Sequence, residues 1–265
     1  MERKGDAGYR GSLPPSAHPG KLRRKRIVIL CGVVGILLVA ALVLLYNLRG
    51  PSRAEVRKLL ERCNSPDESD RMKARDSLIE LGGGAVPHLI EALDDPDENI
   101  QTAAIISLGK IRDERAVEPL LDSITALGPV SPQNALISVS LVNIGPPAVP
   151  MLIERLKKSR GFIQLSVIFI LGEIKDKRAV PPLLSRLDEA LKGEWSDEGM
   201  TMDLGDLKKQ KEVLVAVFII QTLGSIGDEA ALETLRRATS DSSKDVRAAA
   251  QEAVRQIEQQ RTAGG

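Results

Sequence analysis

One unit is copied along this chain at a fixed offset, and this repetition limits the possible folds more than any other feature. Residues 108–121 match residues 171–184, 63 positions further on, at ten of 14 positions. Residues 81–93 match residues 144–156 at eight of 13 positions, again at an offset of 63. Internal similarity of this kind predicts stacked structural units, because each unit covers the apolar face of its neighbour.

Each 63-residue copy is itself double, because an aliphatic residue followed by glycine recurs within it. A helical pattern of small aliphatic residues precedes each marker glycine, and a second helical pattern follows after a short turn. We expect each marker glycine to lie just past the first helix and to end it in the left-handed conformation. The unit is therefore a helical hairpin of about 30 residues. The marker glycines are Gly82, Gly109, Gly145, Gly172 and Gly224.

Acidic residues and prolines mark the expected starts of helices. The sequence Asp95-Pro96-Asp97-Glu98 predicts an aspartate cap, a proline in the first turn and an acidic third position. The last copy carries Thr234 where the earlier second helices carry proline. We therefore expect its second helix to begin differently.

The repeated motif Leu-Gly-x-Ile-x-Asp, followed by Ala-Val and proline, resembles the short HEAT repeats named after phycobilisome lyases. The resemblance covers residues 65–257 and implies an all-α, right-handed α-solenoid of about five hairpins, with a flanking helix at each end. It also implies a binding scaffold whose second helices line the concave face. Through the same resemblance, the motif residues are expected to serve as turn, helix-cap and helix-start residues. They are Gly109, Asp113, Pro119, Gly172, Asp176 and Pro182.

A long uncharged segment near the N-terminus predicts a transmembrane helix. Residues 27–48 contain no charged side chain, and at about 1.5 Å per residue such a helix spans about 33 Å, enough for a bilayer core. Basic residues dominate residues 21–26 just before it. A cleaved signal peptide also begins with basic and then apolar residues, but its apolar region is shorter and leads into small residues. We expect a disordered basic tail over 1–26, a membrane anchor over 27–48 and a juxtamembrane helix over 49–64.

The distribution of basic residues predicts the orientation of this anchor. Eight lysines and arginines precede the span, and five lie within the 14 residues that follow it. Since the more basic flank stays in the cytoplasm, we expect the N-terminus there and the repeat domain on the other side. In a bacterium this is a single-pass protein of the inner membrane with a periplasmic repeat domain. The opposite orientation, with a cytoplasmic repeat domain, remains an alternative.

The repeat domain is expected to cover residues 65–258, with an insertion at about 189–211 and a disordered C-terminus over 259–265. The insertion widens the last spacing between marker glycines and carries Trp195, the only tryptophan. Insertions in solenoids lie at one edge, often near the binding face. Trp195 is therefore a candidate anchor for a partner protein; the alternative is that it folds back onto the neighbouring helices.

The composition argues against several kinds of site. With 37 basic and 36 acidic residues, the net charge of +1 gives no sign of the basic face of a nucleic-acid-binding domain. Two cysteines are too few for a disulfide framework or a four-cysteine zinc site, and two histidines leave little for metal binding or acid–base catalysis. No glycine-rich stretch fits a phosphate-binding loop. We expect no catalytic residues, no cofactor, no metal and no nucleic-acid partner.

Enzymes with similar repeats include bilin lyases, DNA glycosylases and di-iron hydroxylases. The resemblance implies that the di-iron type uses repeated His-Glu pairs, and this chain contains no His-Glu dipeptide. A DNA glycosylase of this shape needs a cationic groove with aromatic residues, and this chain has only six aromatics. A bilin lyase is not excluded by any motif, but the predicted membrane span argues against it.

Polar residues of the second helices are the candidate partner contacts. These residues are mainly acidic in the early copies and mainly basic in the late ones. This distribution predicts a groove whose charge changes from negative to positive along its length and orients a protein partner. The alternative is that these are ordinary solvated helix faces. The candidates, together with Trp195, are His88, Glu91, Glu118, Asp122, Glu154, Arg155, Arg186, Arg236 and Arg237.

These observations predict a membrane-anchored HEAT-repeat scaffold or adaptor that binds another protein through its concave helical surface. A non-catalytic subunit or regulator of a membrane-associated enzyme complex is the alternative. A lyase-like enzyme is a third possibility.

Overall fold

The computed structural model describes residues 50–129, 131–192 and 205–263, with the side chains of 205–212 left out. The chain consists of two compact units, Met1–Gly50 and Pro51–Gly265. We call the second unit the repeat domain. The predicted tail and membrane anchor, residues 1–48, lie outside the described residues, as does Trp195.

Twelve α-helices lie in the described residues, and no strand occurs among them. Short 3-10 turns precede α3, α5, α7, α9 and α11. The helices are α1 (Arg53–Arg62), α2 (Glu68–Glu80), α3 (Val86–Glu91), α4 (Glu98–Ile111), α5 (Val117–Leu127), α6 (Gln133–Ile144), α7 (Val149–Lys158), α8 (Gly161–Ile174), α9 (Val180–Lys192), α10 (Gly205–Ile226), α11 (Leu232–Ala238) and α12 (Lys244–Ala263).

The helices form two layers, as the prediction of an all-α solenoid requires. The first helices α2, α4, α6, α8, α10 and α12 pack against one another in an unbroken series. The second helices α1, α3, α5, α7, α9 and α11 form the other layer, and each packs against the first helix that follows it. Five complete hairpins, α2–α3 to α10–α11, are flanked by α1 and α12. The predicted solenoid of helical hairpins is therefore confirmed.

Aliphatic side chains from both layers form one continuous core. Its residues run from Val56 in α1 to Ile257 in α12 and are almost all Leu, Ile, Val and Ala. Each hairpin buries its apolar face against the next, so the stabilising apolar area accumulates along the stack. This core lies within the compact unit Pro51–Gly265, and a compact unit with its own hydrophobic core is expected to fold alone.

Aspartates cap three of the five 3-10 turns that lie between the two helices of a hairpin in the described residues. Asp113, Asp176 and Asp228 each accept a hydrogen bond from the backbone N–H two residues ahead, at 3.0, 2.9 and 2.9 Å. The role that the family resemblance implied for Asp113 and Asp176 is thus observed. The expectation that the hairpin with Thr234 begins its second helix differently is wrong, because α11 follows the same capped turn.

Three of the marker glycines do not end their helices. Gly109, Gly172 and Gly224 lie inside α4, α8 and α10. The residues that leave α4 and α8 in the left-handed conformation are Arg112 and Lys175, with φ of 60° and 57°. The prediction that these glycines terminate the first helices is therefore wrong.

The glycines within the helices permit close approach of successive first helices. A Cβ atom on Gly109 would lie 2.6 Å from the Cα of Ser140 in α6, far inside normal contact distance. Ser140 itself is buried, and its hydroxyl donates a hydrogen bond to the carbonyl oxygen of Ile105 at 2.9 Å. In the same way, a Cβ on Gly224 would lie 3.0 Å from the Cα of Ala253. Only glycine fits at these positions without moving a helix.

Gly82 and Gly145 behave as expected. Both have positive φ, 57° and 77°, and each follows the end of a first helix. The marker pattern thus combines two kinds of glycine, one that ends a helix and one that lets two helices touch.

Other predicted boundaries also change. Asp97 rather than Asp95 caps α4, accepting from the N–H of Asn99 at 2.9 Å, and Pro96 precedes the helix. The C-terminal residues 259–263, expected to be disordered, continue α12. Both ends of the predicted insertion are helical, because α9 runs to Lys192 and α10 starts at Gly205.

Within the described residues no single helix has the length and hydropathy to cross a membrane. The segments Gln133–Ile144 and Pro146–Lys158 meet these criteria only as a pair, and they are bent by 102° relative to each other. The predicted anchor at 27–48 lies outside the described residues.

We predict that Gly109→Ala lowers the free energy of unfolding of the repeat domain by about 1–3 kcal/mol. Overpacking against the Ser140 backbone has this cost, and it outweighs the gain of up to about 1 kcal/mol in helix propensity. Urea unfolding of residues 51–265 measures the change.

Two variants serve as controls for this measurement. Gly172→Ala should cost less, because its nearest neighbours are side-chain atoms of Thr222, at 3.1 Å or more. Lys110→Ala, at an exposed position, should change stability by less than about 0.5 kcal/mol. Equal stability of Gly109→Ala and Lys110→Ala would contradict the close-packing role.

Candidate functional site

The predicted partner contacts lie in the layer of second helices, but not all of them reach the surface. His88 and Arg155 are half-buried, and Arg186 is buried. Trp195 lies outside the described residues, so its role stays a prediction. The exposed candidates are Glu91, Glu118, Asp122, Glu154, Arg236 and Arg237.

Ion pairs join successive second helices across this layer. Arg53 in α1 contacts Glu91 in α3, with 3.2 Å between Nε and Oε2. Asp122 in α5 pairs with Arg155 in α7. Acids of the early copies are therefore matched by arginines of neighbouring helices, which weakens the charge gradient that a count of residues predicts.

A further ion pair links Arg237 in α11 to Asp188 in α9, with 3.7 Å between Nη2 and Oδ1. Arg236 instead contacts Glu258 in α12, at 2.8 Å between Nη2 and Oε1. These exposed pairs contribute little to stability individually. They do hold the side chains in defined positions on the surface.

Among the candidates, Glu118 has an exposed carboxylate that no neighbouring described residue neutralises. It is exposed in the first turn of α5 and forms no ion pair with another described residue. Asp122, one helical turn further along α5, is also exposed and is paired with Arg155. Together these residues give the middle of the second-helix layer an acidic patch, which we call the α5 patch and define as Glu118 and Asp122.

Arg186 is placed inside the repeat domain rather than on its surface. Only 7% of the residue is exposed, and its guanidinium pairs with Glu189 one turn along α9. Burial lowers the pKa of Arg186 below its ordinary value. The sequence placed Arg186 among the groove contacts because it could not show which face of α9 turns inward.

His88 borders a small cleft of about 80 Å³ between α1 and α3. Its Nδ1 lies 4.0 Å from Oε2 of Glu91 and has no hydrogen-bond partner. Arg57 reaches the same cleft and pairs with Asp95. The backbone N–H of Asp97, followed by the Arg57 guanidinium, holds the pKa of Asp95 below its ordinary value.

The cleft beside His88 shows no catalytic arrangement. Its remaining lining residues are Arg53, Val56, Leu60 and Ala92, none of which is a nucleophile. It is too small for a drug-sized ligand. The structure therefore favours a role for His88 in packing α3 against α1.

Sequence reasoning missed a second row of charged contacts, which lies at the turns. The guanidinium of Arg115 donates to both carboxylate oxygens of Asp113, at 2.9 and 2.6 Å. The same Nη2 donates to the carbonyl oxygen of Gly83 in the preceding hairpin, at 2.7 Å. One arginine thus ties the capping aspartate of its own turn to the backbone of the turn before.

The contact recurs 63 residues later. Arg178 donates to Asp176 and, at 2.7 Å, to the carbonyl oxygen of Pro146 in the preceding turn. In the last turn Ala230 replaces the arginine, and Lys177 of the previous turn approaches Asp228 instead, at 3.7 Å. The repeated Asp-x-Arg spacing was the signal that could have revealed these contacts.

Comparison with known proteins classifies the repeats. Residues 56–130 match the family model described as HEAT repeats, and residues 163–189 match the model described as PBS lyase HEAT-like repeat. Within these two ranges the repeats are similar to HEAT repeats. The first match begins inside α1, which agrees with the place of α1 in the layer of second helices.

Among curated proteins, deoxyhypusine hydroxylase from Gallus gallus is 28% identical over 114 residues, which is 43% of this chain and 32% of that protein. The chain thus matches about a third of the relative's length. Among solved structures, an engineered protein matches at 20% identity and a TM-score of 0.32, over 77% of this chain and 96% of its own. Human deoxyhypusine hydroxylase in complex with glycerol matches at 17% identity and a TM-score of 0.35, over 78% and 97%.

The turn contacts predict a dependence of stability on pH. Hydrogen bonds from Arg115 hold the pKa of Asp113 below its ordinary value of 3.8. A carboxylate whose pKa is lower in the folded state stabilises the fold above its unfolded pKa, and this stabilisation is lost as the pH falls through the folded pKa. We expect the free energy of unfolding of residues 51–265 to fall below about pH 4.

Asp113→Asn tests this assignment, because asparagine caps a helix about as well as aspartate but carries no charge. Its unfolding free energy, followed by urea titration from pH 7 downward, should depend less on pH than that of the parent. Asp241→Asn is the control: its side chain also accepts a backbone hydrogen bond, from Ser243 at 2.7 Å. Arg247 donates to the backbone carbonyl of Asp241 at 2.7 Å, not to its carboxylate. Identical pH profiles for Asp113→Asn and the parent would refute the role of the Asp113–Arg115 pair.

Proposed function

We propose that this protein is a single-pass, membrane-anchored scaffold that binds another protein with the exposed face of its second helices. The observation that carries the proposal is the α5 patch, in which Glu118 is exposed and forms no ion pair with another described residue, while Asp122 is exposed and pairs with Arg155. Solenoids of stacked hairpins present such extended surfaces to partners. In this proposal the solenoid is right-handed and the second helices line its concave side.

The membrane part of the proposal is supported by the sequence. Residues 27–48 are uncharged, long enough to span a bilayer and preceded by a basic stretch. We place the N-terminus in the cytoplasm and the repeat domain across the membrane, which in a bacterium is the periplasm. Because α1 begins at Arg53, the span and the first helix are separated by only four residues.

A binding role agrees with the chemistry of the described residues better than catalysis does. No three residues of His, Cys, Asp and Glu come together as a metal site within the part of the chain that the structure describes. Cys63, the only cysteine there, is half-buried, and burial raises the pKa of its thiol, which opposes a nucleophilic role. The proposed scaffold needs neither a metal nor a cofactor.

A hydroxylase is the second candidate, favoured by the partial match to deoxyhypusine hydroxylase. A di-iron centre assembled from His-Glu pairs does not fit this chain. His88 is the only histidine among the described residues, and leucine follows it. A regulatory subunit of a membrane-associated enzyme complex is compatible with the same binding surface and differs only in the nature of the partner.

We expect Glu118→Lys to reduce partner binding about tenfold, since a like charge introduced at a complementary contact costs about 1.4 kcal/mol or more. A photo-cross-linking amino acid at position 122 of the full-length, membrane-inserted protein should capture one reproducible protein. The capture should weaken when Glu118→Lys is added.

Glu80→Lys is the matched control, because Glu80 is an equally exposed carboxylate at the end of α2, in the other layer. It should leave the capture unchanged. If both charge reversals weaken capture alike, or if position 122 captures nothing, the second-helix surface is not the binding site. Conversion of a substrate by purified residues 51–265 without a partner would favour the enzymatic alternative.

A further inference from the structure

Large apolar side chains are exposed on three successive first helices. The last backbone hydrogen bond of α6 joins the N–H of Gly145 to the carbonyl oxygen of Leu141, and that of α8 joins the N–H of Lys175 to Leu171. When the two helices are aligned at these bonds, Val139 and Phe169 occupy equivalent positions. Both are large apolar residues in contact with solvent, with 56% and 47% of their surface exposed. In α10, whose last backbone hydrogen bond joins Gly227 N–H to Leu223, the equivalent position is the exposed Gln221. Two turns earlier in α10, Leu214 is 49% exposed.

The residues one helical turn earlier are also apolar. One helical turn before Val139 and Phe169 lie Ala135 and Leu165, and the equivalent position of α10 is Val217. Ala135 is exposed and the other two are half-buried. We define the apolar face as Ala135, Val139, Leu165, Phe169, Leu214 and Val217.

Charges are nearly absent from the helices that carry the apolar face. Helix α6 contains no Asp, Glu, Lys or Arg, and α10 contains none from Val213 to Ile226. Helix α8 contains only Glu173, which is exposed one turn beyond Phe169 and forms the edge of the apolar face. The first helices nearer the two ends are different: α2 and α12 are rich in charged residues. The contrast shows that the first-helix layer does not need an uncharged outer side in order to pack, so the apolar face requires a separate explanation.

We propose that the apolar face lies on the surface of a lipid bilayer, the one that holds the anchor. The proposal rests on the membrane anchor of the proposed function. Four residues separate the predicted span from α1, so the repeat domain stays within reach of the bilayer and even weak interfacial binding becomes effective. Apolar side chains inserted at the boundary between headgroups and acyl chains bind in proportion to the apolar area that they bury.

A bilayer fits this face better than a protein partner does. Tyr, Trp and Arg, the residues enriched in the energetically dominant part of protein interfaces, are missing from the apolar face. A bilayer accepts apolar side chains without requiring matched shape or hydrogen bonds. With the first helices on the bilayer, the second-helix layer and its α5 patch face away from it, toward soluble partners.

Quenching of tryptophan fluorescence by brominated lipids tests this contact in the full-length protein reconstituted in vesicles. Trp195→Phe combined with Phe169→Trp leaves a single tryptophan on the apolar face. We expect vesicles with brominated acyl chains to reduce its emission by roughly twofold or more relative to unbrominated vesicles, as for a side chain within the interface.

The matched control is Trp195→Phe combined with Met72→Trp. Met72 is 53% exposed in α2, also a first helix, but lies among charged residues. Its emission should be unaffected by the brominated lipids. Equal emission of the Phe169→Trp protein in the two kinds of vesicle overturns the proposal. A second outcome also overturns the proposal: light scattering in detergent shows a dimer, and Val139→Glu dissociates it. In that case a second copy of the chain, not lipid, covers the apolar face.

Flotation of the protein with lipid vesicles shows whether the apolar face or the membrane anchor is responsible for membrane binding. The repeat domain 51–265, which has its own core, should float with anionic vesicles, and Phe169→Glu should weaken its partitioning about tenfold, whereas Met72→Glu should not. If the full-length protein is extracted from vesicles by alkaline carbonate while the repeat domain still floats, the anchor fails and the apolar face stands. If the full-length protein resists extraction but the repeat domain does not float and the Phe169→Trp protein is unquenched, the apolar face fails and the anchor stands.

Discussion

Successive first helices of this protein touch where there is no room for a side chain. At Gly109 and Gly224 the neighbouring helix brings its backbone so close that a methyl group would overlap it. This contact sets the spacing of the stack, because the helices cannot move apart without opening the core beneath them. The second helices follow, since each packs against the next first helix. The capped turns, joined by Arg115 and Arg178, then fix how one hairpin follows another.

The two layers that result have different surfaces. The second helices carry charges, many of them paired between neighbouring helices, and leave the acidic α5 patch exposed. In the middle of the chain the first helices instead present Val139, Phe169 and Leu214 to solvent. One layer thus offers a surface suited to a charged protein partner, and the other offers one suited to lipid. The proposed partner binding rests on the first of these surfaces, and the proposed bilayer contact rests on the second.

Much of the fold could be predicted from the sequence, because the hairpin unit and the capping role of Asp113 are encoded locally. The errors have a common cause. Gly109 was assigned to a helix end because glycine is common there, and Arg186 to the surface because arginine is common there, but the deciding neighbours lie elsewhere in the fold. The candidate site was less predictable for the same reason. Asp122 forms an ion pair only because the fold brings it close to Arg155 in the next hairpin. Val139 is an aliphatic residue that would be expected in the core, and only the fold shows that it is exposed.

By itself the sequence determined the repeating hairpin, its caps and the uncharged segment at 27–48, since each depends on residues close together in the chain. Only the tertiary structure decided which glycines separate helices, which charges neutralise one another and which aliphatic side chains stay in water. Those outcomes depend on the distance between residues about 30 positions apart, and that distance is set by how the hairpins stack.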